Sequence, residues 1–99
     1  MRSEKDVKRK CKELLKQFGA YYCMPLGAGY GRAGVPDIIA CVAGEFVGIE
    51  CKWNGNKPSA MQKLQLAEIE QAQGYALVID ENNITALRHV LENITGVAK

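Results

Sequence analysis

Metal-assisted cleavage of a phosphodiester requires two carboxylates and an ammonium held together, and Asp37, Glu50 and Lys52 are spaced to supply them. Glu50-Cys51-Lys52 lies in an otherwise apolar stretch that reads as a strand. Side chains alternate along a strand, so Glu50 and Lys52 share one face while Cys51 points to the other. Burying such charges is unfavourable unless they are paired or bound to metal. The plain alternative is an exposed edge strand whose Glu and Lys form a solvated pair of little energetic weight.

The preceding residues weigh against that alternative. Val35 to Ala43 reads as a strand with Asp37 at its mouth, Gly44-Glu45 as a tight turn, and Phe46-Val47-Gly48-Ile49 as the return strand. Counting back from the turn, the partner of Asp37 falls among Glu50 to Lys52, at cross-strand contact distance. The expected site is therefore the side chains of Asp37 and Glu50, the backbone carbonyl of Cys51, and water. An all-oxygen set of this kind suits a hard cation, Mg²⁺ or Mn²⁺.

Pro36-Asp37 followed by Glu50-Cys51-Lys52 resembles the PD-(D/E)xK nuclease signature, and the chain as a whole resembles the VRR-NUC family, in its stand-alone viral or phage type. The resemblance runs from Glu4 to about Ile79. It takes in an early Glu on a leading helix, the glycine-rich approach Gly31-Arg32-Ala33-Gly34-Val35 to the Pro-Asp pair, the Glu-x-Lys strand, and Ser59-Ala60-Met61-Gln62 at the start of a later helix. The resemblance implies a metal-dependent nuclease with Asp37, Glu50 and Lys52 at its core, Gln62 as an accessory polar group, and Glu4 as an outer or second-metal ligand. Glu4 has a simpler explanation too, because acids gather in the first turn of a helix near the positive end of its dipole.

Ninety-nine residues suffice for one domain, 1–99, and not for two. At 47% hydrophobic and 24% charged, the chain has the balance of a soluble globular domain. It lacks an apolar run able to span a bilayer, and its first residues lack the apolar core of a signal peptide, so a cytoplasmic, non-secreted protein with no membrane partner is expected. Cys11, Cys23, Cys41 and Cys51 stand singly, without zinc-site spacing, and read as reduced core residues. His89 has no nucleophile or ligand near it in sequence. Residues 1–20 hold seven basic and three acidic side chains, whereas the remainder holds six and eight. That bias places a basic face on the first helix, with Arg2, Lys5, Lys8, Arg9 and Lys12 as candidate phosphate contacts. Tyr30 and Arg32 from the glycine loop, together with Lys57, extend the set.

Apolar residues at helical spacing predict a helix from Ser3 to Phe18, capped by Ser3 and stopped by Gly19. A short strand, Ala20 to Met24, leads into Gly29-Tyr30-Gly31-Arg32-Ala33-Gly34. That G-x-G-x-x-G runs into a proline and a strand instead of opening a helix, which excludes a dinucleotide site, and no nucleotide cofactor is expected. Its glycines are expected to let backbone approach a phosphate. Ser59 caps a second helix running to about Gln73. Ala60, Met61, Leu64, Ala67 and Ala72 are expected to face the sheet, leaving Leu66 and Ile69 as a possible self-association surface. Tyr75 to Ile79 reads as an interior strand and Ile84 to Leu91 as a closing helix. The predicted fold is α/β, a restriction-endonuclease-like core with a mixed central sheet flanked by helices, in the order α-β-β-β-α-β-α.

One small domain has no separate sequence-reading module, so selection of DNA by shape is expected. The resemblance implies a homodimer resolving four-way (Holliday) junctions. A flap or nonspecific nuclease would use the same site. A catalytically silent DNA-binding module and a structural protein with an incidental buried ion pair are the readings from other classes.

Overall fold

The computed structural model describes residues 1–26 and 31–98. Gly29 and Tyr30, the first half of the glycine motif and its expected stacking group, lie outside the described residues. Helix α1 (Glu4–Gln17) starts at Ser3, whose hydroxyl accepts the N–H of Asp6 at 3.2 Å. Val7, Cys11, Leu14 and Leu15 recur every third or fourth residue, and all four are buried. Strands β1 (Tyr21–Cys23), β2 (Ile38–Val42) and β3 (Glu45–Cys51) form an antiparallel meander. Helix α2 (Ala60–Gln71) then crosses to β4 (Tyr75–Ile79), which pairs parallel to β3, and α3 (Ile84–Thr95) closes the chain. The sheet order is β1-β2-β3-β4, so the expected order of elements and the mixed sheet are both observed.

Alternation along β2 and β3 sorts their residues onto two faces. Ile38, Ala40, Val42, Val47, Ile49 and Cys51 join Val7, Cys11, Leu14, Leu15, Leu87 and Leu91 in one buried cluster, which puts α1 and α3 on that side. The other face carries Gly48, whose missing Cβ leaves the space taken by Ile69 of α2. The sheet is thus sandwiched between α1 and α3 on one side and α2 on the other.

Four details differ from the sequence reading. The hairpin turn is Ala43-Gly44, with φ of 49° and 86°, and Glu45 already pairs with Val42. A two-residue loop with positive φ at both centres matches the strand twist, which moves the turn one residue earlier than expected. Helix α2 is rotated relative to expectation. Gln65 and Leu66 are buried and Ile69 packs on the sheet, whereas Met61 and Leu64 stand about half exposed. Strand β4 lies at the sheet edge and is not interior. Only Cys11 and Cys51 are core residues; Cys23 and Cys41, on the open side of β1 and β2, are exposed.

The glycine loop also does something local. Gly34, at φ +78°, lies so close to the first turn of α2 that an added Cβ would fall 2.6 Å from the backbone carbon of Met61. This glycine therefore lets the loop approach a helix, not a phosphate, in the free protein. Gln65, buried, fastens the same loop by donating from Nε2 to the Ala33 carbonyl at 3.0 Å. Gly34→Ala is expected to lower unfolding free energy by about 2–4 kcal/mol, from left-handed strain plus overpacking. Gly31→Ala, also at positive φ but with open space around it, should lose only about 1–2 kcal/mol. Equal losses for the two in urea denaturation would show that the contact with α2 carries no weight.

Candidate active site

The site grows from the place where the β2–β3 ladder runs out. Pro36 is buried and has no N–H to give, so pairing begins after it, at Ile38 opposite Ile49. Continuing that register sets Asp37 opposite Glu50. Strand β3 reaches one residue further, and the Cys51 N–H finds no β2 backbone to bond. Asp37 supplies the acceptor instead, its Oδ2 taking the Cys51 N–H at 2.8 Å. On the other edge of β3 the Lys52 N–H donates to the Ile79 carbonyl at 2.9 Å, which holds the Glu-x-Lys triplet between two strands.

Glu50 is 2% exposed, and its Oε2 lies 3.3 Å from Lys52 Nζ. Its other oxygen, Oε1, is buried without a hydrogen-bond partner among the described residues. Burial first, and the Asp37 charge second, push the Glu50 carboxyl above its ordinary value, against the opposing pull of Lys52 and of the Asp37 backbone N–H. Asp37 meets a second cation through Oδ1, 3.8 Å from Lys8 Nζ, and the same ammonium lies 3.4 Å from Glu4 Oε2. Partial burial draws the Lys8 value down, but Asp37 and then Glu4 outweigh it and the net shift is upward. The Cys51 thiol, 4.0 Å from that of Cys11, is pushed strongly upward by that contact and by burial, which leaves its sulfur neutral and inert.

The structure thus brings Asp37, Glu50 and Lys52 together. Among the described residues no group of three or more His, Cys, Asp or Glu side chains could hold a metal ion. An ion here would rest on two carboxylates with backbone and water. Glu4 is not gathered with Asp37 and Glu50; it reaches the site only through Lys8. Gln62 is engaged in a capping box, its Oε1 accepting the Ser59 N–H at 2.8 Å while its own N–H donates to Ser59 Oγ at 3.2 Å. It also lines a cleft with Leu26, Arg32 and Val35. The donor set fits a hard divalent cation, because the unpartnered buried Oε1 of Glu50 is an acceptor that a cation would satisfy.

Among the expected nucleic-acid contacts, Arg2, Lys5, Arg9, Arg32 and Lys57 are exposed and Lys8 and Lys12 are half-buried. Arg9 is tied to Glu13 at 2.8 Å, and Arg32 Nη2 bonds both carboxylate oxygens of Glu68 at 2.7 Å. Three positioning groups escaped the sequence reading. Lys8 was read only as part of a basic face, although its place four residues after Glu4 marks the helix side they share. Glu81 accepts the Asn54 N–H on both carboxylate oxygens, at 3.2 and 3.1 Å, anchoring the turn after Lys52. Gln65 carried no signal, since a Gln in mid-helix is ordinarily exposed.

No family model matches the sequence, and no curated protein matches it. Among solved structures the chain is similar to a VRR_NUC domain, with a TM-score of 0.70 and 18% identity over 90% of this chain and 94% of that chain. The fold is that of a VRR_NUC domain, in agreement with the resemblance carried by the motifs.

The raised value of Glu50 has a stability consequence whose sign is fixed. Between the ordinary glutamate range and the raised folded-state value, the folded protein holds a proton on Glu50 that the unfolded chain releases, so stability is lost as pH rises through that interval. Glu50→Gln keeps the shape and removes the buried charge. With chelator at neutral pH the variant is expected to be more stable by about 1 kcal/mol, roughly 4–8 °C in Tm, and the difference should close toward pH 4. Melting curves that stay parallel across that range would exclude Glu50 as the titrating group.

Proposed function

We propose that this chain is a metal-dependent nuclease that hydrolyses DNA phosphodiester bonds at Asp37, Glu50, the Cys51 carbonyl and Lys52. One observation carries the reading. A buried carboxylate with an unpartnered oxygen stands beside an ammonium and opposite a second carboxylate, in a VRR_NUC fold. A purely structural ion pair ordinarily has both carboxylate oxygens satisfied, so the open acceptor favours an additional cation.

Asp37 and Glu50 are the side chains that would hold Mg²⁺ or Mn²⁺, with the Cys51 carbonyl completing the protein share. When bound, such an ion supplies Lewis-acid stabilisation of the phosphate and a more acidic water. Lys52, 3.3 Å from Glu50 Oε2, would orient the attacking water, help deprotonate it, or stabilise charge on the phosphate. Gln62 keeps its amide NH₂ to offer, since its oxygen is committed to the helix cap. The basic side chains of α1 and Lys57 are proposed to meet the DNA backbone.

Branched DNA, a four-way junction, is the proposed substrate, cut by a homodimer with two sites related by a two-fold axis. The exposed apolar stripe of α2, Ala60, Met61, Leu64 and Ala67, supports self-association, because a second copy would cover it.

Cleavage of a labelled four-way junction beside a matched duplex, with Mg²⁺, Mn²⁺ or chelator, tests the reading. Asp37→Ala, Glu50→Ala and Lys52→Ala are each expected to lower the rate at least about 100-fold while retaining the circular-dichroism spectrum of the wild type. Equal cutting of junction and duplex would keep the nuclease and remove the resolvase; no cutting with either metal would leave a silent binding module. In sedimentation, Leu64→Asp should shift a dimer to monomer, and an unchanged dimer would remove the α2 stripe from the interface.

A further inference from the structure

Each carboxylate of the site already has one oxygen committed. Asp37 Oδ2 holds the Cys51 N–H and Glu50 Oε2 faces Lys52, so Asp37 Oδ1 and Glu50 Oε1 are the oxygens that would be offered to a cation. Glu50 Oε1 is buried and has no partner among the described residues. Asp37 Oδ1 is already attended, since Lys8 Nζ stands 3.8 Å from it. An ammonium and a divalent cation repel each other and cannot both crowd one carboxylate oxygen.

Resting on the metal-site reading above, we propose that Lys8 is the resident counter-ion of Asp37, competing with the divalent cation for Oδ1 and vacating it when the cation binds. Lys8 comes from α1, on the side of the sheet opposite α2, and its side chain is 28% exposed, so it can move aside without opening the core. Glu4, four residues earlier, holds the same ammonium at 3.4 Å and keeps it beside the site when Asp37 releases it. The arrangement gives Glu4 a function as well. It acts on the site through Lys8 and not as a ligand. Lys5 and Lys12 flank Lys8 on the same helix side, three residues before and four after, and make no ion pair among the described residues. Released from Asp37, Lys8 stands in that row with one carboxylate against it instead of two, where a phosphate backbone is the natural partner. Cation binding thereby strengthens the surface that receives the nucleic acid.

The test is a titration with Mn²⁺ alone, without DNA, following free Mn²⁺ by electron paramagnetic resonance for the wild type, Lys8→Met and Lys8→Arg. Lys8→Met keeps the aliphatic stem and removes the charge, and is expected to bind Mn²⁺ about 3–10-fold more tightly than the wild type, with Lys8→Arg restoring wild-type affinity. At saturating Mn²⁺, Lys8→Met should raise KM for DNA about 3–10-fold with kcat nearly unchanged. Equal or weaker Mn²⁺ binding by Lys8→Met overturns the counter-ion role and leaves the metal site standing. Absence of Mn²⁺ binding in every variant overturns the metal site itself and this role with it.

Discussion

The hydrogen bond from the Cys51 N–H to Asp37 Oδ2 is the interaction on which the arrangement depends. It exists because two paired strands end out of step. Proline at position 36 delays β2, while β3 continues to Cys51, so one backbone donor is left facing a side chain where a strand carbonyl would otherwise be. A buried backbone N–H must be satisfied, and the aspartate that satisfies it is thereby locked in place. The carboxylate pair is thus an extension of the sheet's own hydrogen bonding. Loops enter only as supports, with Glu81 holding the turn beyond Lys52 and Gln65 holding the loop before Pro36.

Charge within the site is interleaved. Glu4, Lys8, Asp37, Glu50 and Lys52 are arranged so that each ammonium lies next to at least one carboxylate and Lys8 next to two, with Asp37 and Glu50 side by side at the centre. Such a chain lowers the penalty of gathering acids in a poorly solvated corner, yet it does not remove the penalty for Glu50, whose carboxyl stays above its ordinary value. The same corner places an unreactive thiol, that of Cys51, behind the two carboxylates, where its packing against Cys11 ties the strand to α1.

Helix α2 shows where sequence patterning stops being decisive. It is apolar on two sides, Ala60-Met61-Leu64-Ala67 on one and Leu66-Ile69 on the other, so periodicity alone admits either orientation. Its orientation is chosen by space elsewhere in the chain. Gly48 on β3 and Gly74 before β4 both lack the Cβ that would collide with Ile69, at 2.8 and 2.9 Å, and in the observed rotation Ile69 fills the gap they leave. Gly34 makes the matching concession to the other end of the helix, letting the loop before Pro36 lie against its first turn.

Much of the protein was legible in the sequence because the signals involved are local. Ser3 and Ser59 mark helix starts through side chains that reach three residues ahead, apolar spacing marks α1, and strand alternation puts Glu50 and Lys52 on one face opposite Asp37. The order of elements and the closeness of Asp37, Glu50 and Lys52 follow from these short-range rules. The rest was decided by contacts between segments far apart in the chain. Lys8 meets Asp37 across 29 positions and Arg32 meets Glu68 across 36. Which face of α2 is buried, that β4 is an edge, and that Cys23 and Cys41 are exposed likewise depend on what packs where. Local preference encodes where a chain turns and which side chains share a face; the partner each face receives is settled only when the whole set of elements competes to fill one core without voids or unpaired groups.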